Sequence, residues 1–422
     1  MTDNITYLLE TVFGHDAFRP KQEEIVRGIV AGRDVLAVLP TGAGKSLCFQ
    51  LPAVALPGTT IVISPLISLM KDQVDNANKK GVRALVINSD LSKAESESAY
   101  DELQVGKVKL LYIAPERFAV QKFLDMLPRL KLAAIIADEA HCVDWSYDFR
   151  PAYGRVAEYL KSFSACPRAA FTASATPDTQ DDIVKKFGLR DPLRIRASFN
   201  RPNLHYGVIP KLGEGMVDVL EHIKTNRIAA GRGIIYRSTR QKTVDTAELL
   251  TRNGIKCLPY HAGLDVDIKR ANQTAFAAGE SPWICATIAF GMGIDIPDIR
   301  HVIHADLPKN MEGFYQETGR AGRDGKKSNC TLIYSAADLR TIKYFIEQNF
   351  RQNKDVSRMM KEESRLQTMR EYAERDLCRR RSILAYFGEA LPGENCGSCD
   401  VCIERKSRAE KLMRPALQKQ LF

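Results

Sequence analysis

Leu132-Ala133-Ala134-Ile135-Ile136-Ala137 is an unbroken apolar run that ends in Asp138-Glu139-Ala140-His141. A strand with no polar face must be covered on both sides, as in a parallel sheet packed between helices. Open sheets of this kind hold their ligands beyond the carboxyl ends of the strands, and Asp138 and Glu139 would be delivered there. Val35–Val38, Ile61–Ile63, Lys109–Ile113 and Ala169–Thr172 are further short apolar runs. Several lead directly into small or polar residues: Ser64-Pro65-Leu66, Ala114-Pro115-Glu116-Arg117 and Thr172-Ala173-Ser174-Ala175-Thr176. Strands alternating with helical stretches predict βαβ units and an α/β fold.

Between Val38 and the next helical stretch lies Leu39-Pro40-Thr41-Gly42-Ala43-Gly44-Lys45-Ser46, with Leu39 where a phosphate loop usually begins with glycine. In such a loop the backbone around Thr41, Gly42 and Gly44 cradles phosphates, Lys45 reaches the β/γ-phosphates and Ser46 places its hydroxyl on Mg²⁺. Asp138 would share that Mg²⁺, and Glu139 would orient and deprotonate the attacking water. Together these residues predict hydrolysis of a nucleoside triphosphate.

A chain of 422 residues exceeds a single hydrophobic core, so two or three domains are expected. Hydrophobic residues at 45% and charged residues at 27% argue against a disordered or fibrous chain. The formal net charge of +10 favours a polyanionic partner. No apolar run approaches the roughly 20 residues of a membrane span, and no signal-peptide pattern opens the chain. No membrane association and a cytoplasmic location, nucleoid-associated in a bacterium, are therefore expected. In that reducing setting the ten cysteines read as thiols or metal ligands rather than disulfides.

The βαβ rhythm restarts with Gly233–Tyr236, Trp283–Thr287, His301–His304 and Cys330–Tyr334, this time without a phosphate loop. This half carries Gln316-Glu317-Thr318-Gly319-Arg320-Ala321-Gly322-Arg323-Asp324-Gly325 instead. Two arginines three residues apart on a helical turn can meet a γ-phosphate, a contribution of about 10³–10⁵ in rate in other phosphoryl-transfer systems.

Beyond about residue 345 the pattern changes to charged helix, then Cys378-Arg379-Arg380-Arg381 and Cys396-Gly397-Ser398-Cys399-Asp400-Val401-Cys402. Cys378, Cys396, Cys399 and Cys402 form a four-thiolate set suited to tetrahedral Zn²⁺, although close thiolates also bind iron–sulfur clusters. The neighbouring Arg379, Arg380 and Arg381, with Arg405, Lys406, Arg408, Lys411 and Arg414 in the tail, are either phosphate contacts or a solvated basic face. In the first half, Trp145, Phe149 and Arg150 fall within Val143–Arg150. Aromatic and guanidinium planes together suit stacked single-stranded bases, or they pack the sheet edge.

These motifs together resemble the RecQ family of superfamily 2 DNA helicases across nearly the whole chain. Phe18-Arg19-Pro20-Lys21-Gln22, Ser64 to Val74, Phe199-Asn200-Arg201-Pro202-Asn203-Leu204, Tyr260-His261-Ala262-Gly263-Leu264, Ala289 to Asp295 and the double-arginine segment carry the likeness. The resemblance implies two tandem RecA-like parallel-sheet domains, residues 1–205 and 206–345, and a helical zinc-binding module with a basic tail, 346–422. It implies ATP, Mg²⁺ and Zn²⁺ as cofactors, zinc being structural and favoured over iron–sulfur. Gln22 and Arg19 would recognise adenine, with His15 where the family usually has tyrosine. Gln316 and His141 would couple phosphate state to closure. Ser64, Gln73, Arg117, Trp145, Phe149, Arg150, His261 and Thr287 would contact DNA or couple to it, through an aromatic loop one residue shorter than usual with Tyr147 in place of histidine.

The implied activity is ATP-dependent 3′–5′ translocation on single-stranded DNA, by a monomer that separates partially duplex DNA in repair, recombination and replication. Only twenty residues follow Cys402, so a form lacking the family's winged-helix and C-terminal helical domains is expected. An ATP-gated translocase or remodelling factor with little strand separation is the alternative, and an RNA helicase is the rival within the enzyme class.

Overall fold

The short apolar runs pair as two parallel sheets. The computed structural model describes residues 3–40, 42–65, 67–88, 91–142, 156, 158–160, 166–229, 231–290 and 296–408. The chain divides into two compact units, Met1–Phe199 and Asn200–Phe422.

In the first unit β1 (Val35–Val38), β2 (Thr59–Ile63), β3 (Ala84–Ile87), β4 (Leu110–Ile113), β5 (Leu132–Ala137), β6 (Arg168–Thr172) and β7 (Leu193–Arg196) form one sheet in the order β3-β4-β2-β5-β6-β1-β7. Every pairing in it is parallel. The fully apolar β5 takes the central place, and Ala133 to Ala137 are all buried. In the second unit β8 (Leu204–Pro210), β9 (Gly233–Tyr236), β10 (Cys257–Tyr260), β11 (Trp283–Ala286), β12 (His301–His304) and β13 (Ser328–Tyr334) pair in the order β10-β11-β9-β12-β13-β8, again all parallel.

Four strands were not legible as apolar runs: β3, β7, β8 and β10. They are the four edges of the two sheets. An edge strand is covered on fewer sides, so polar and half-exposed residues are tolerated there. β10 even contains Pro259, whose missing N–H costs nothing where no further neighbour needs it. Because β8 begins at Leu204 and pairs with β13, residues 200–205 go with the second unit.

The helices follow local rules. Pro177–Phe187 starts with Thr176 accepting a hydrogen bond from Thr179 N–H, has proline at its first position and ends at Gly188 with φ 59°. The double-sheet pattern gives way to helices Ala336–Asn353, Val356–Glu374 and Arg379–Tyr386. The last two pack on helix Met311–Thr318 of the second unit through Phe314 against Tyr372 (5.1 Å) and Tyr315 against Phe387 (5.0 Å between ring centres). No helix among the described residues is long and apolar enough to cross a membrane.

Asp34 braces the strand that leads to the phosphate loop. Its buried carboxylate accepts the N–H of Arg168 (2.9 Å) and of Arg190 (2.7 Å), and it pairs with the Arg190 guanidinium, so β6, β1 and the approach to β7 are joined at one point. Burial alone would raise this carboxyl, but the Arg190 side chain and the two N–H groups hold it below the ordinary range. Asp34→Asn should cost about 2–3 kcal/mol in denaturant unfolding. Most of that loss comes from the backbone donors, because the half-exposed Arg190 is screened. A depressed carboxyl stabilises above the unfolded value of about 3.9 and loses its effect as pH falls through the folded value. The wild type and Asp34→Asn should therefore differ at neutral pH and converge in strong acid.

Candidate functional site

In the first unit the phosphate loop is tied down by its own neighbours. Leu39 is fully buried and its N–H bonds Thr172 O (3.0 Å), so this position still belongs to the ladder and needs no glycine. Gly44, with φ 80° and ψ 41°, turns the chain into helix Lys45–Ala55. The buried Gln22 donates to Ala43 O (3.0 Å) and Gly44 O (3.1 Å), and its Oε1 accepts Arg19 N–H (2.8 Å). Arg19 donates to Gly42 O (2.7 Å). A planar trans peptide points C=O and N–H in opposite directions, so tying down these carbonyls turns the N–H groups of Gly44 and Lys45 the other way, towards an anion. A Cβ on Gly44 would lie 2.4 Å from Gln22 Nε2 and would sit on a left-handed backbone, so any larger residue would be strained and would displace the Gln22 amide from the loop. His15 is exposed in the turn beyond helix Asn4–Thr11, Ser46 is half-buried in the first turn of helix Lys45–Ala55, and Thr41 lies outside the described residues.

The carboxylates stand at the end of β5. Asp138 N–H extends the ladder to Ile63 O (2.9 Å), and its Oδ1 accepts Glu139 N–H (3.0 Å). Glu139 takes a left-handed φ of 48°, unusual for a residue with a side chain. This turn brings Glu139 Oε1 to 3.5 Å from Lys45 Nζ. Burial, and then the charge of Glu139, push the Asp138 carboxyl well above its ordinary range, with Lys45 opposing. The buried carboxylate and the Ser46 hydroxyl supply the oxygen donors that a hard divalent cation takes.

His141 joins this carboxylate to the end of β6. Thr172 Oγ1 lies 3.1 Å from Ser174 O, to which it can donate, and 2.9 Å from His141 Nδ1, where the imidazole tautomer sets which group donates. The same Nδ1 lies 3.4 Å from Glu139 Oε2. Thr172 was legible only as a strand end, and its link to His141 is a product of the β5–β6 pairing. Farther along, Gln50 on helix Lys45–Ala55 donates to Gln73 Oε1 (2.9 Å) and Tyr112 OH (3.2 Å). Gln73 is thereby tied to the helix that begins at the phosphate loop. Arg117 donates to Asn88 O (2.8 Å), and Ser64 is buried at the end of β2. Trp145, Phe149 and Arg150 lie outside the described residues.

In the second unit the double-arginine segment leaves helix Met311–Thr318 in tightened turns, with Arg320 N–H to Glu317 O and Ala321 N–H to Thr318 O. Arg320 is buried and its charge acts on the Tyr236 hydroxyl, which donates to Phe290 O. Gln316 and Arg323 are half-buried. Glu317 holds the buried His304 (2.7 Å). His261 and Thr287 follow β10 and β11, adjacent strands, and so stand at one edge of the sheet.

The four cysteine sulfurs Cys378, Cys396, Cys399 and Cys402 lie within 4.8 Å of one another. A tetrahedral zinc with bonds of about 2.3 Å needs sulfurs about 3.8 Å apart, so a small contraction closes the site. At Cys396 burial is outweighed: the N–H and hydroxyl of Ser398 and the N–H of Cys399 hold the thiol below its ordinary range, while burial pushes Cys378 and Cys399 up. The other six cysteines are buried and separate from this cluster.

Two of the three neighbouring arginines are internal rather than free for phosphate. Arg379 pairs with Asp400 (3.1 Å), and Arg380 donates to Asn200 Oδ1, Arg201 O, Leu204 O and Ser398 Oγ. Only Arg381 is exposed. In the tail Arg405 and Arg408 pair with Asp376 and Glu404, Lys406 is exposed, and Lys411 and Arg414 lie outside the described residues.

Residues 19–183 match the DEAD/DEAH box helicase family, 215–325 the helicase conserved C-terminal domain and 336–403 the RecQ zinc-binding family. The ATP-dependent DNA helicase RecQ of Bacillus subtilis is 40% identical over 95% of this chain and 67% of its own length. The ATP-dependent helicase SGS1 of Saccharomyces cerevisiae is 40% identical over 95% of this chain and 28% of its own. The chain thus spans between 28% and 67% of these relatives. Among solved structures, the DUF1998 helicase MrfA bound to DNA superposes with a TM-score of 0.67 at 17% identity, over 81% of this chain and 50% of that one, a likeness of fold. The thiolate centre following both helicase segments, and the identity carried from one end of the chain to the other, make the conclusion plain: this chain belongs to the RecQ family of helicases.

Proposed function

We propose that the chain is an ATP-hydrolysing DNA helicase that moves 3′ to 5′ along single-stranded DNA and separates duplex ahead of it. The observation that carries this reading is the meeting of Lys45, Asp138, Glu139 and His141 at one edge of the first sheet, with Glu139 3.5 Å from Lys45 and within reach of His141. The 40% identity to relatives named as DNA helicases supports the nucleic-acid part.

In this reading the Gly44 and Lys45 amides and the Lys45 ammonium bind the β/γ-phosphates of ATP, while Gln22 and Arg19 hold the loop that presents them. Ser46 and Asp138 are the residues that would hold Mg²⁺, which neutralises phosphate charge when bound. Glu139 accepts the proton of the attacking water as its oxygen bonds the γ-phosphorus and the bond to the β–γ bridging oxygen breaks. His141, hydrogen-bonded to Thr172, senses the loss of that charge and relays it to the end of β6. Arg320 and Arg323 neutralise the transferring phosphate. Separating each base pair opposes stacking of about 1.4 kcal/mol, within reach of one triphosphate per step. The net charge of +10 suits a phosphodiester track.

Partial duplexes with a 3′ or a 5′ single-stranded tail test the polarity. Separation of the 3′-tailed duplex alone, abolished in Lys45→Ala, is expected. Hydrolysis stimulated by single-stranded DNA without separation of either duplex would instead identify a translocase or remodelling factor, and stronger stimulation by RNA would identify an RNA helicase. Lys45→Ala itself should lower ATP turnover by about 10²–10³.

The cysteine centre should hold structural zinc. Metal analysis of the purified chain should find one zinc per molecule, and Cys396→Ser should lower that stoichiometry and the melting temperature of the second unit. Metal analysis that finds no zinc, or a Cys396→Ser variant that melts like the wild type in calorimetry, would rule this out.

A further inference from the structure

Arg201 occupies an unusual position in the second unit. It lies just before β8, and its guanidinium turns towards the double-arginine segment. Nη1 donates to Gly319 O (3.3 Å), and Nη2 donates to Ala321 O (2.9 Å) and Gly322 O (2.9 Å). These are the carbonyls on either side of Arg320 and immediately before Arg323. Asn203 adds a second hold, donating to Gly322 O (2.9 Å) and Lys326 O (3.0 Å). The loop closes so tightly around this pair that a Cβ on Gly322, φ +56°, would lie 2.5 Å from Asn203 Nδ2.

Arg201 is itself held from behind by the cysteine module. Arg380, two residues beyond Cys378, is 4% exposed and donates to Arg201 O (2.5 Å), Asn200 Oδ1 (2.8 Å) and Leu204 O (2.7 Å). It also bonds Ser398 Oγ (3.2 Å), between Cys396 and Cys399, and lies over the Tyr206 ring (5.8 Å). A continuous path therefore runs from the thiolate loop through Arg380 and the 200–204 segment to the backbone that carries Arg320 and Arg323. The Phe314–Tyr372 and Tyr315–Phe387 contacts fix the preceding helix against the same module.

We propose that Arg201, buttressed by Arg380 of the cysteine module, is the positioning residue that sets Arg320 and Arg323 for phosphoryl transfer. The module then serves the chemistry of ATP hydrolysis as well as the stability of the chain. The proposal rests on the reading of these arginines as charge donors to the transferring phosphate. Binding a guanidinium by three carbonyls fixes the backbone on both sides of Arg320, and misplacement of a catalytic group by about 1 Å costs on the order of 10²-fold.

The test is a double-mutant cycle in the full chain, with zinc content and melting temperature measured for every protein. Arg201→Gln should keep its zinc and lower DNA-stimulated kcat by about 10–100-fold, leaving KM for ATP and affinity for single-stranded DNA near wild type. Combined with Arg320→Ala or Arg323→Ala, whichever single change is the more damaging, it should add little further loss, because both act on one step. Wild-type kcat in Arg201→Gln, or losses that multiply in the double variant, would overturn the proposal. Should Arg201→Gln fail to fold, Arg201→Lys keeps the charge but not the three-carbonyl fork. It should show a smaller loss confined to kcat, and wild-type turnover there would be equally decisive against it. If Arg320→Ala and Arg323→Ala each hydrolyse ATP at the wild-type rate, the reading of those arginines has failed instead, which the single variants report independently of Arg201.

Discussion

Val38 pairs with Thr172 and Ala137 with Ala170, so β1, β6 and β5 end close to one level at the carboxyl edge of the first sheet. The contacts that join Leu39, His141 and Glu139 to their partners depend on this alignment. Leu39 can bond Thr172, His141 can reach the Thr172 hydroxyl and Glu139 can approach Lys45 only while the three strands hold their register. A one-residue slip would reverse every side chain of a strand, turning Asp138 out of its place as well as exposing apolar residues. Parallel pairing buried on both faces is therefore both the source of stability and the alignment device for the chemistry. The Asp34 brace at the opposite end of β1 serves the same register.

How much of this was legible in the residues depended on what kind of partner a residue uses. The central strands were legible because burial on both faces leaves an unbroken apolar run. β3, β7, β8 and β10 were not, because an edge carries no such demand. Lys45, Asp138, Glu139 and the four cysteines announce themselves by side-chain chemistry at fixed spacing. Arg201, Arg380 and Arg168 do not, because each spends its guanidinium largely on main-chain carbonyls. A carbonyl acceptor has no residue identity, so the sequence shows the donor and conceals its target. The same reasoning explains why Arg379 and Arg380 look like nucleic-acid contacts in a basic run and prove to be interior. Gln22 likewise holds the phosphate loop by two carbonyls that its side chain alone does not reveal.

Burying this many guanidinium groups is costly unless their donors are satisfied. Arg168, Arg237, Arg379 and Arg380 are all under 9% exposed, and each bonds carbonyls where a chain segment ends or turns. An arginine offers five donors in a rigid plane, enough to join several loop ends that have no regular hydrogen bonds of their own. In the second unit this makes irregular backbone, the 200–204 segment and the turns after Thr318, as fixed as a strand. Lysine could not replace these residues, since a single ammonium cannot span two segments with the same geometry.

The six interior cysteines bear on how the molecule can be followed experimentally. Burial pushes the thiols of Cys48, Cys166, Cys285 and Cys330 up to about 12 and that of Cys257 well above its ordinary value, while Cys142 is 3% exposed. At neutral pH almost no thiolate forms at the shifted positions, and reagents cannot reach them. The four remaining sulfurs lie together in one cluster, where bound zinc would withhold them from reagents. A fluorophore could therefore be attached to a single cysteine introduced on the surface of either unit without first stripping the chain of its own, which makes each unit open to direct optical observation.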